Sequence, residues 1–429
     1  MPSHALLEEL RWRGLLHQHT EGAGEALARD TVSGYCGFDP TASSLHVGSL
    51  VPIMGLVHLQ RAGHRPVALV GGGTGLIGDP SGKANERAML TLEHVEENVR
   101  GIRGQLEHFL SFDGRTGALM RNNADWLVPL RAIDFMRDVG KHFTVNYMTA
   151  KESVKARVET GISYTEFSYM LLQAYDFLEL HRRDGVTLQV GGSDQWGNMT
   201  AGMELIRRTG AGEAHVITFP LVTTTSGTKF GKTEAGTVWL DPERTSPYRF
   251  YQFWLNADDA DALRWLRYFT LLERAEIEAV ERAHAEHPER REAQRALARD
   301  VTRRVHSEAA LQAAEEVSAF FFGGAEPSSL SAHAFDVLRA EAPFAEVDAA
   351  SLASDGEDGR YDVLKLLTAS GLAPSNGAAR RLLEQGGVSV NKKKLGTGDR
   401  FVPASDSLLT GRHIIVGKGR RDFALLRVR

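Results

Sequence analysis

From Val32 to His215, short apolar runs alternate with stretches of helical periodicity, and that alternation constrains the fold more than any other feature of the chain. Strands separated by helices must be joined by crossovers, so the sheet they build is parallel and covered by helices on both faces. Residues 31–38 read as a buried strand, 39–46 as the loop leaving it, and about 48–61 as a helix stopped by Gly63. Residues 66–70 read as the next strand, 71–83 as a glycine-rich loop and about 92–110 as a long amphipathic helix. Further strands are expected at 117–121, 186–190 and 215–219. The fold class is therefore α/β, with a doubly wound, Rossmann-like parallel sheet over residues 1–244. Ligands of such sheets bind beyond the C-terminal strand ends, which makes the loops there the place to look for chemistry.

Five segments carry residues suited to it. At 35–49, YCGFDPT leads on to LHVGS and brings the His46 imidazole to a helix N-terminus opened by Gly48. Unpaired N–H groups and partial positive charge at that end suit a phosphate, which His46 can also reach as a donor. Gly48 permits close approach by a flat ligand such as adenine. The same spacing equally describes a histidine that caps its own helix. At 71–83, GGGTGLIGDPSGK is followed by Arg87; the spacing is not that of a Walker loop. Lys83 and Arg87 bracket a turn that either reverses the chain or holds an anion. At 228–233, TKFGKT sets Lys229 and Lys232 around a glycine. That is either an exposed basic turn or a cationic clamp able to stabilise charge on a departing pyrophosphate. Between about 165 and 181, Tyr169, Gln173 and Asp176 share one helix face with Leu172 and Phe177 nearby, so a polar stripe points inwards. Buried polar groups need partners, supplied by a structural network or by a small polar ligand. At 190–198, VGGSDQWGN reads as a strand, a glycine turn and a helix start, with Asp194 placed for ribose hydroxyls and Gln195 beside it.

Taken in order, these segments resemble the class I aminoacyl-tRNA synthetases: HVGS (46–49) is similar to the first signature of that class and KFGKT (229–233) to the second. The wording YCGFDPTA, GDPSGK, YMLLQAYDF, GGSDQWGN and KFGKT resembles the bacterial-type tyrosyl-tRNA synthetases in particular. The resemblance implies a ligase that activates L-tyrosine with ATP, releases pyrophosphate, and passes tyrosine to the 3′ end of its tRNA. It also implies roles. Tyr35 and Asp176 hold the phenolic hydroxyl; Asp79, Tyr169 and Gln173 hold the ammonium group; Gln195 lies by the carboxylate. Asp39, Gly192 and Asp194 contact the adenosine portion, with Gly37, Gly48 and Ser49 also on the ATP side. Thr41 and His46 bind the departing phosphates, assisted by Lys83, Arg87, Lys229 and Lys232. ATP is a substrate accompanied by Mg2+, with no tightly bound cofactor and no dedicated metal site. The substrate carboxylate is itself the nucleophile, so catalysis is positioning plus charge stabilisation. One position departs from the pattern: the first signature usually ends in a second histidine, and Ser49 stands there. Its hydroxyl or a water must replace that contact. Two rivals keep the fold: a tryptophan-activating sister enzyme and a relative that binds RNA without catalysis.

Residues 245–322, rich in Ala, Glu, Arg and Leu, read as a helical domain, which the resemblance places on the anticodon side. Residues 323–360 begin with GGAEPSS and read as an acidic linker, and 361–429 as a compact basic module. The charge counts differ sharply: 331–358 carries one basic and seven acidic side chains, 361–429 thirteen basic and five acidic. A basic terminal module behind an acidic spacer is the footprint of a nucleic-acid-binding appendage, although a solvated surface without a partner has the same counts. Within it, ARRLLEQGGVSVNKKK (379–394) sets Arg380 and Arg381 on a helix, then a double-glycine turn and a short strand ending in Lys392, Lys393 and Lys394. This resembles a small α+β, ribosomal-protein-like RNA-binding domain. The family resemblance makes the tRNA its partner and implies a homodimer. A lone cysteine, Cys36, excludes an internal disulfide framework. No uncharged apolar run approaches the ~20 residues of a membrane helix. Residues 1–30 contain five acidic side chains, unlike a secretory or organellar presequence. A cytoplasmic protein that engages no membrane is expected.

Overall fold

Six strands form the main sheet: β1 (Gln18–His19), β2 (Ser33–Phe38), β3 (Arg65–Val70), β4 (Leu119–Asn122), β5 (Val186–Gly192) and β6 (His215–Phe219). They lie in the order β1-β6-β5-β2-β3-β4. The computed structural model describes residues 5–77, 91–151, 154–155, 161–225, 227, 230–233, 236–354, 357–419 and 422–429. Strands β2 to β6 are parallel, and the short β1 runs antiparallel along β6, covering that edge. From β2 the chain steps outwards to β3 and β4; the later β5 and β6 build on the opposite side. The order therefore reverses between β2 and β5, and the crevice at their C-terminal ends is the switch point where such sheets bind ligands. The five expected strands are all present and differ only at their ends, whereas β1, two residues long, is an addition to them. β5 runs to Gly192 because Gly191 and Gly192 still pair with Thr218 and Phe219.

Helix Leu50–Arg61 follows β2 through a short 3-10 turn, Val47–Ser49, and the amphipathic helix runs Leu92–Leu106, ending before the expected residue 110. The helix carrying the polar stripe spans Tyr164–Asp184. It opens with a capping box between Ser163 and Glu166 and stops at Gly185, whose φ of 64° suits glycine. Its Ala174, Phe177 and Leu178 face the core with Tyr35, Val67 and Leu69. Between β4 and this helix the described residues include three short helices that sequence periodicity did not reveal: Ala124–Leu127, Ala132–Asp138 and Val145–Thr149. Each is too short to repeat an apolar stripe.

The chain divides into two compact units, Met1–Thr245 with Phe253–Val305, and Ser246–Gln252 with His306–Arg429. The helical domain expected at 245–322 is thus split. An aromatic cluster fixes helix Asp259–Phe269 in the first unit: Phe230 packs against Phe253, Trp254, Trp265 and Phe269 with ring centroids 4.9 to 5.9 Å apart. The buried Arg13 closes helix Asp259–Phe269, donating to the carbonyls of Arg267 (3.0 Å), Thr270 (2.8 Å) and Leu272 (2.9 Å).

Two small hairpin strands, β7 (Lys232–Thr233) and β8 (Gly236–Thr237), complete the first unit. In the second, β10 (Ala353–Ser354), β11 (Glu357–Asp362) and β14 (Phe401–Pro403) form one small sheet. Another follows the order β13 (Lys393–Lys394), β12 (Val388–Val390), β15 (His413–Lys418), β16 (Asp422–Val428), β9 (Phe344–Val347). Residues 323–360 are therefore no linker. They contain helix Ala332–Glu341, and β9 joins the sheet parallel to β16. Two of their acidic groups are partners for arginines: Glu341 takes Arg249 at 2.8 Å, and Glu346 takes Arg427 at 3.3 Å and Arg429. Among the described residues, no helix is long and apolar enough to cross a membrane.

Candidate active site

At the β2–β5 switch point lies a cavity of about 350 Å³. Twelve of the expected residues line it: Tyr35, Gly37, Asp39 and Thr41 from β2 and its loop; His46, Gly48 and Ser49 at the next helix start; Tyr169, Gln173 and Asp176 from the long helix; Gly192 and Gln195 after β5.

The inner end is built around Asp176, only 2% exposed. Its Oδ1 accepts from Trp126 Nε1 at 2.7 Å and its Oδ2 from Asn123 Nδ2 at 2.9 Å. Asn123 is itself fixed, accepting from the Gly73 amide at 2.7 Å and donating to Thr74 Oγ1 at 2.9 Å. Burial pushes the Asp176 carboxyl up to about 7, against the two hydrogen bonds, which favour the charged form. Tyr35 is 1% exposed, and its ring meets Phe177 edge-on with centroids 5.1 Å apart. Its hydroxyl has no hydrogen-bond partner. Burial, then the charge of Asp176, raises the pKa of that hydroxyl well above the ordinary range. Across the strand pair Tyr35 faces Gln189, and Gln189 Oε1 and Gln173 Oε1 are likewise buried and unpartnered. Three orphaned polar atoms in one cavity are costly, at ~1–3 kcal/mol each, unless a polar ligand completes them. Asn198 Nδ2 donates to Gln195 Oε1 at 3.0 Å, which orients that amide.

The outer end is built around His46. Its Nδ1 accepts from the Gly48 amide at 3.0 Å, capping the turn. The capping reading is thus right, and it leaves the proton on Nε2, where it can be donated to a phosphate. Gly48 is required by the cap itself, since a Cβ there would lie 2.7 Å from His46 Cε1. At Gly37 a Cβ would meet nothing within 4 Å, so the end of β2 lies open to a ligand. Ser49 makes no side-chain capping bond and lines the cavity with Pro52.

The two signatures are physically joined. Gly231 sits at φ 79° with a Cβ position 2.5 Å from Val47 Cγ2, so only glycine fits. Val238 N donates to Gly231 O at 3.0 Å, Val47 N to Val238 O at 3.0 Å and Leu240 N to Leu45 O at 2.9 Å. Phe230, between the two lysines, is anchored in the aromatic cluster described above.

Not every expectation is met in this way. Asp79, Lys83, Arg87 and Lys229 lie outside the described residues, and of Lys232 only the backbone, in β7, is described. Asp194 does not line the cavity; its Oδ1 is 2.6 Å from where a Gly192 Cβ would be. Sequence reading missed Asn123, Trp126, Thr74, Gln189 and Trp239. The paired Asn122-Asn123 at the end of β4 was the one available signal, since strand ends point at the crevice. Cys36 is buried and its thiol is pushed up to about 12 by burial, which makes it a small inert residue.

In the second unit Arg380 and Arg381 are exposed on helix Asn376–Glu384, and Lys393 and Lys394 are exposed on β13. Lys392 corrects the expectation of a strand ending in three lysines. With Asn391 (φ 49°) and Lys392 (φ 62°), it forms the turn between β12 and β13. Its ammonium donates to the carbonyls of Phe320 and Ala325 (3.3 Å), so this charge is used within the chain.

Two family profiles match the chain: tRNA synthetases class I (W and Y) over residues 28–323, and the tyrosine–tRNA ligase SYY-like C-terminal domain over residues 341–426. The chain is 52% identical over 424 residues to the tyrosine–tRNA ligase of Anaeromyxobacter dehalogenans, covering 99% of each. It is 53% identical over 426 residues to that of Roseiflexus castenholzii, again covering 99% of each. Among solved structures, a C-terminally truncated mitochondrial tyrosyl-tRNA synthetase from Aspergillus nidulans superposes with a TM-score of 0.67 at 28% identity, over 74% of this chain and 94% of that one.

Proposed function

The chain belongs to the class I tRNA synthetases of the tryptophan and tyrosine type and acts as a tyrosine–tRNA ligase, and on that premise we propose how its residues divide the work. The observation that carries the assignment is the buried Tyr35 hydroxyl, without a partner, beside an Asp176 carboxylate fixed by Trp126 and Asn123. The phenol of bound tyrosine donates to Asp176 and accepts from Tyr35. Phenylalanine in the same place leaves both groups unpaired in a dry pocket and is rejected, an asymmetry for which tyrosyl-tRNA synthetases are the usual worked case. Tyr169 and Gln173, with Asp79, take the ammonium group, and Gln195 steers the carboxylate.

ATP lies along the outer end. Gly37 and Gly48 leave room for its flat parts, Asp39, Gly192 and Asp194 take the adenosine, and Ser49 supplies a hydroxyl towards the nucleotide. Thr41 and the His46 Nε2 proton face the phosphates, with Lys83, Arg87, Lys229 and Lys232 adding charge. An oxygen of the tyrosine carboxylate attacks the α-phosphorus, and the bond to the β-phosphate breaks with its electron pair leaving on pyrophosphate. No proton needs to move, so what the protein supplies is alignment and stabilisation of the charge that accumulates. Among the described residues no group of three His, Cys, Asp or Glu is placed to hold a metal. Mg2+ enters this reading on the ATP phosphates.

Arg380, Arg381, Lys393 and Lys394 form the RNA-facing charge of the C-terminal unit, binding backbone phosphates. A homodimer is part of the proposal, supported by Val128, Ile133, Met136, Val145 and Tyr164, which stand 54–71% exposed between β4 and the long helix. So is residence in the cytoplasm, where a single buried thiol stays reduced. The test is ATP–pyrophosphate exchange without tRNA, offering tyrosine, tryptophan and phenylalanine in turn. Exchange with tyrosine alone is expected; exchange with tryptophan would overturn the assignment of the inner end.

A further inference from the structure

The cavity lining contains no lysine or arginine among its described residues, yet a triphosphate must be held and then released at its outer end. We propose that Arg244, carried on the ring of Trp239, is a further catalytic cation for the departing pyrophosphate. The inference rests on the ATP placement above and adds a residue to it.

Trp239 is a fixed platform. Its backbone pairs with His46, its amide donates to Thr245 Oγ1 at 3.0 Å, and its neighbours Val238 and Leu240 are bonded to Val47 and Leu45. The indole lines the cavity and meets the His46 imidazole edge-on with centroids 6.2 Å apart. The Asp241–Thr245 turn, closed by Arg244 N and Thr245 N donating to Asp241 O at 3.1 and 3.0 Å, brings the chain back over that ring. Arg244 thereby sets its guanidinium carbon 4.5 Å from the indole centroid.

The imidazole of the first signature and the guanidinium of Arg244 thus both contact the one indole ring. Stacking on an aromatic face holds a guanidinium without neutralising it and leaves its N–H edge for other acceptors. Arg244 is exposed and forms no ion pair with a carboxylate among the described residues. Its charge is therefore unspent within the protein. Pyrophosphate leaving past His46 gains negative charge as the α–β bond breaks, and a preorganised cation on that side lowers the barrier. Trp239 touches no reacting atom and is a positioning residue.

The experiment compares wild type with Arg244→Ala, Arg244→Lys and Trp239→Leu. It measures pre-steady-state adenylate formation, pyrophosphate affinity in the reverse reaction, tyrosine affinity, and tRNA charging. Arg244→Ala should slow adenylate formation and weaken pyrophosphate binding about tenfold, the effect of ~1.4 kcal/mol, leaving tyrosine affinity unchanged. Arg244→Lys should recover part of the loss, and Trp239→Leu should shift the same two quantities in the same direction. Wild-type ATP and pyrophosphate parameters in Arg244→Ala would overturn the proposal. So would a defect confined to the KM for tRNA, which would place the guanidinium on the acceptor end instead. Wild-type protein that fails to exchange with tyrosine would sink the underlying site assignment, a different outcome from either. Arg244 is on the surface, so its variants test the idea even if Trp239→Leu does not fold.

Discussion

Replacing Tyr35 by phenylalanine should make the protein more stable and the enzyme worse. The hydroxyl it removes is buried, with no partner, in a ring position held by Phe177. An unsatisfied buried polar atom costs ~1–3 kcal/mol, and deleting it leaves no cavity larger than one oxygen. Unfolding of the tyrosine-free protein should therefore shift upwards by that amount. Tyrosine activation should move the other way. The substrate phenol loses one hydrogen bond of ~0.5–1.5 kcal/mol, a fall of roughly 2- to 12-fold in kcat/KM for tyrosine. Phenylalanine, which never satisfied the hydroxyl, should lose nothing and gain slightly, so the tyrosine-to-phenylalanine ratio should fall by more than the tyrosine figure alone. Denaturant unfolding and pyrophosphate exchange on the same preparations supply both numbers. A destabilised variant would refute the reasoning at its root, because it would mean that the hydroxyl is already paired in the free enzyme. Unchanged tyrosine kinetics would remove the residue from the substrate's reach.

Asp176 titrates near 7, so tyrosine affinity should rise as pH increases through that value and the carboxylate becomes the acceptor; Asp176→Asn should flatten the profile as well as lower it. Stability should run oppositely. A carboxyl raised from ~3.9 unfolded contributes fully below that value and loses its contribution as pH rises through 7, a loss that the Asn variant should not show in tyrosine-free melts. Gly231→Ala combines a positive φ with a Cβ 2.5 Å from Val47, and should cost ~1–2 kcal/mol of local strain and slow adenylate formation with little change in tyrosine affinity, read by stopped flow and equilibrium dialysis. Lys393→Ala with Lys394→Ala should leave pyrophosphate exchange intact, raise the KM for tRNA, and reduce the salt slope of tRNA binding by about two.

Much of this was legible because it was local. The 31–38 run, the HVGS turn and the Tyr169–Gln173–Asp176 stripe each declare themselves within a few residues, and the parallel sheet follows from their alternation. What stayed hidden was created by the fold across distance. Trp126 and Asn123 gain meaning only when β4 delivers them against a helix some fifty positions later. Gln189 matters because strand register sets it beside Tyr35. The three short helices after β4 carried no period to read. Segment 323–360 was misread for a different reason. Its acidic charge suggested solvation, whereas Glu341 and Glu346 are spent on arginines, and FAEV pairs as an ordinary strand. Lys392 was misplaced because charge counts cannot tell a lysine facing out from one whose ammonium is bonded back to the chain.

The backbone bonds that join Leu45 and Val47 to Val238 and Leu240 also set an order along the growing chain. By Phe219 every strand of the main sheet exists, and with it the inner end of the cavity, proposed above to take tyrosine. The segment that pins His46 comes some twenty residues later, and the aromatic cluster that holds Phe230 is complete only at Phe269. In chain order, every residue that builds the inner end of the cavity is thus made before the strand segment that braces the outer end.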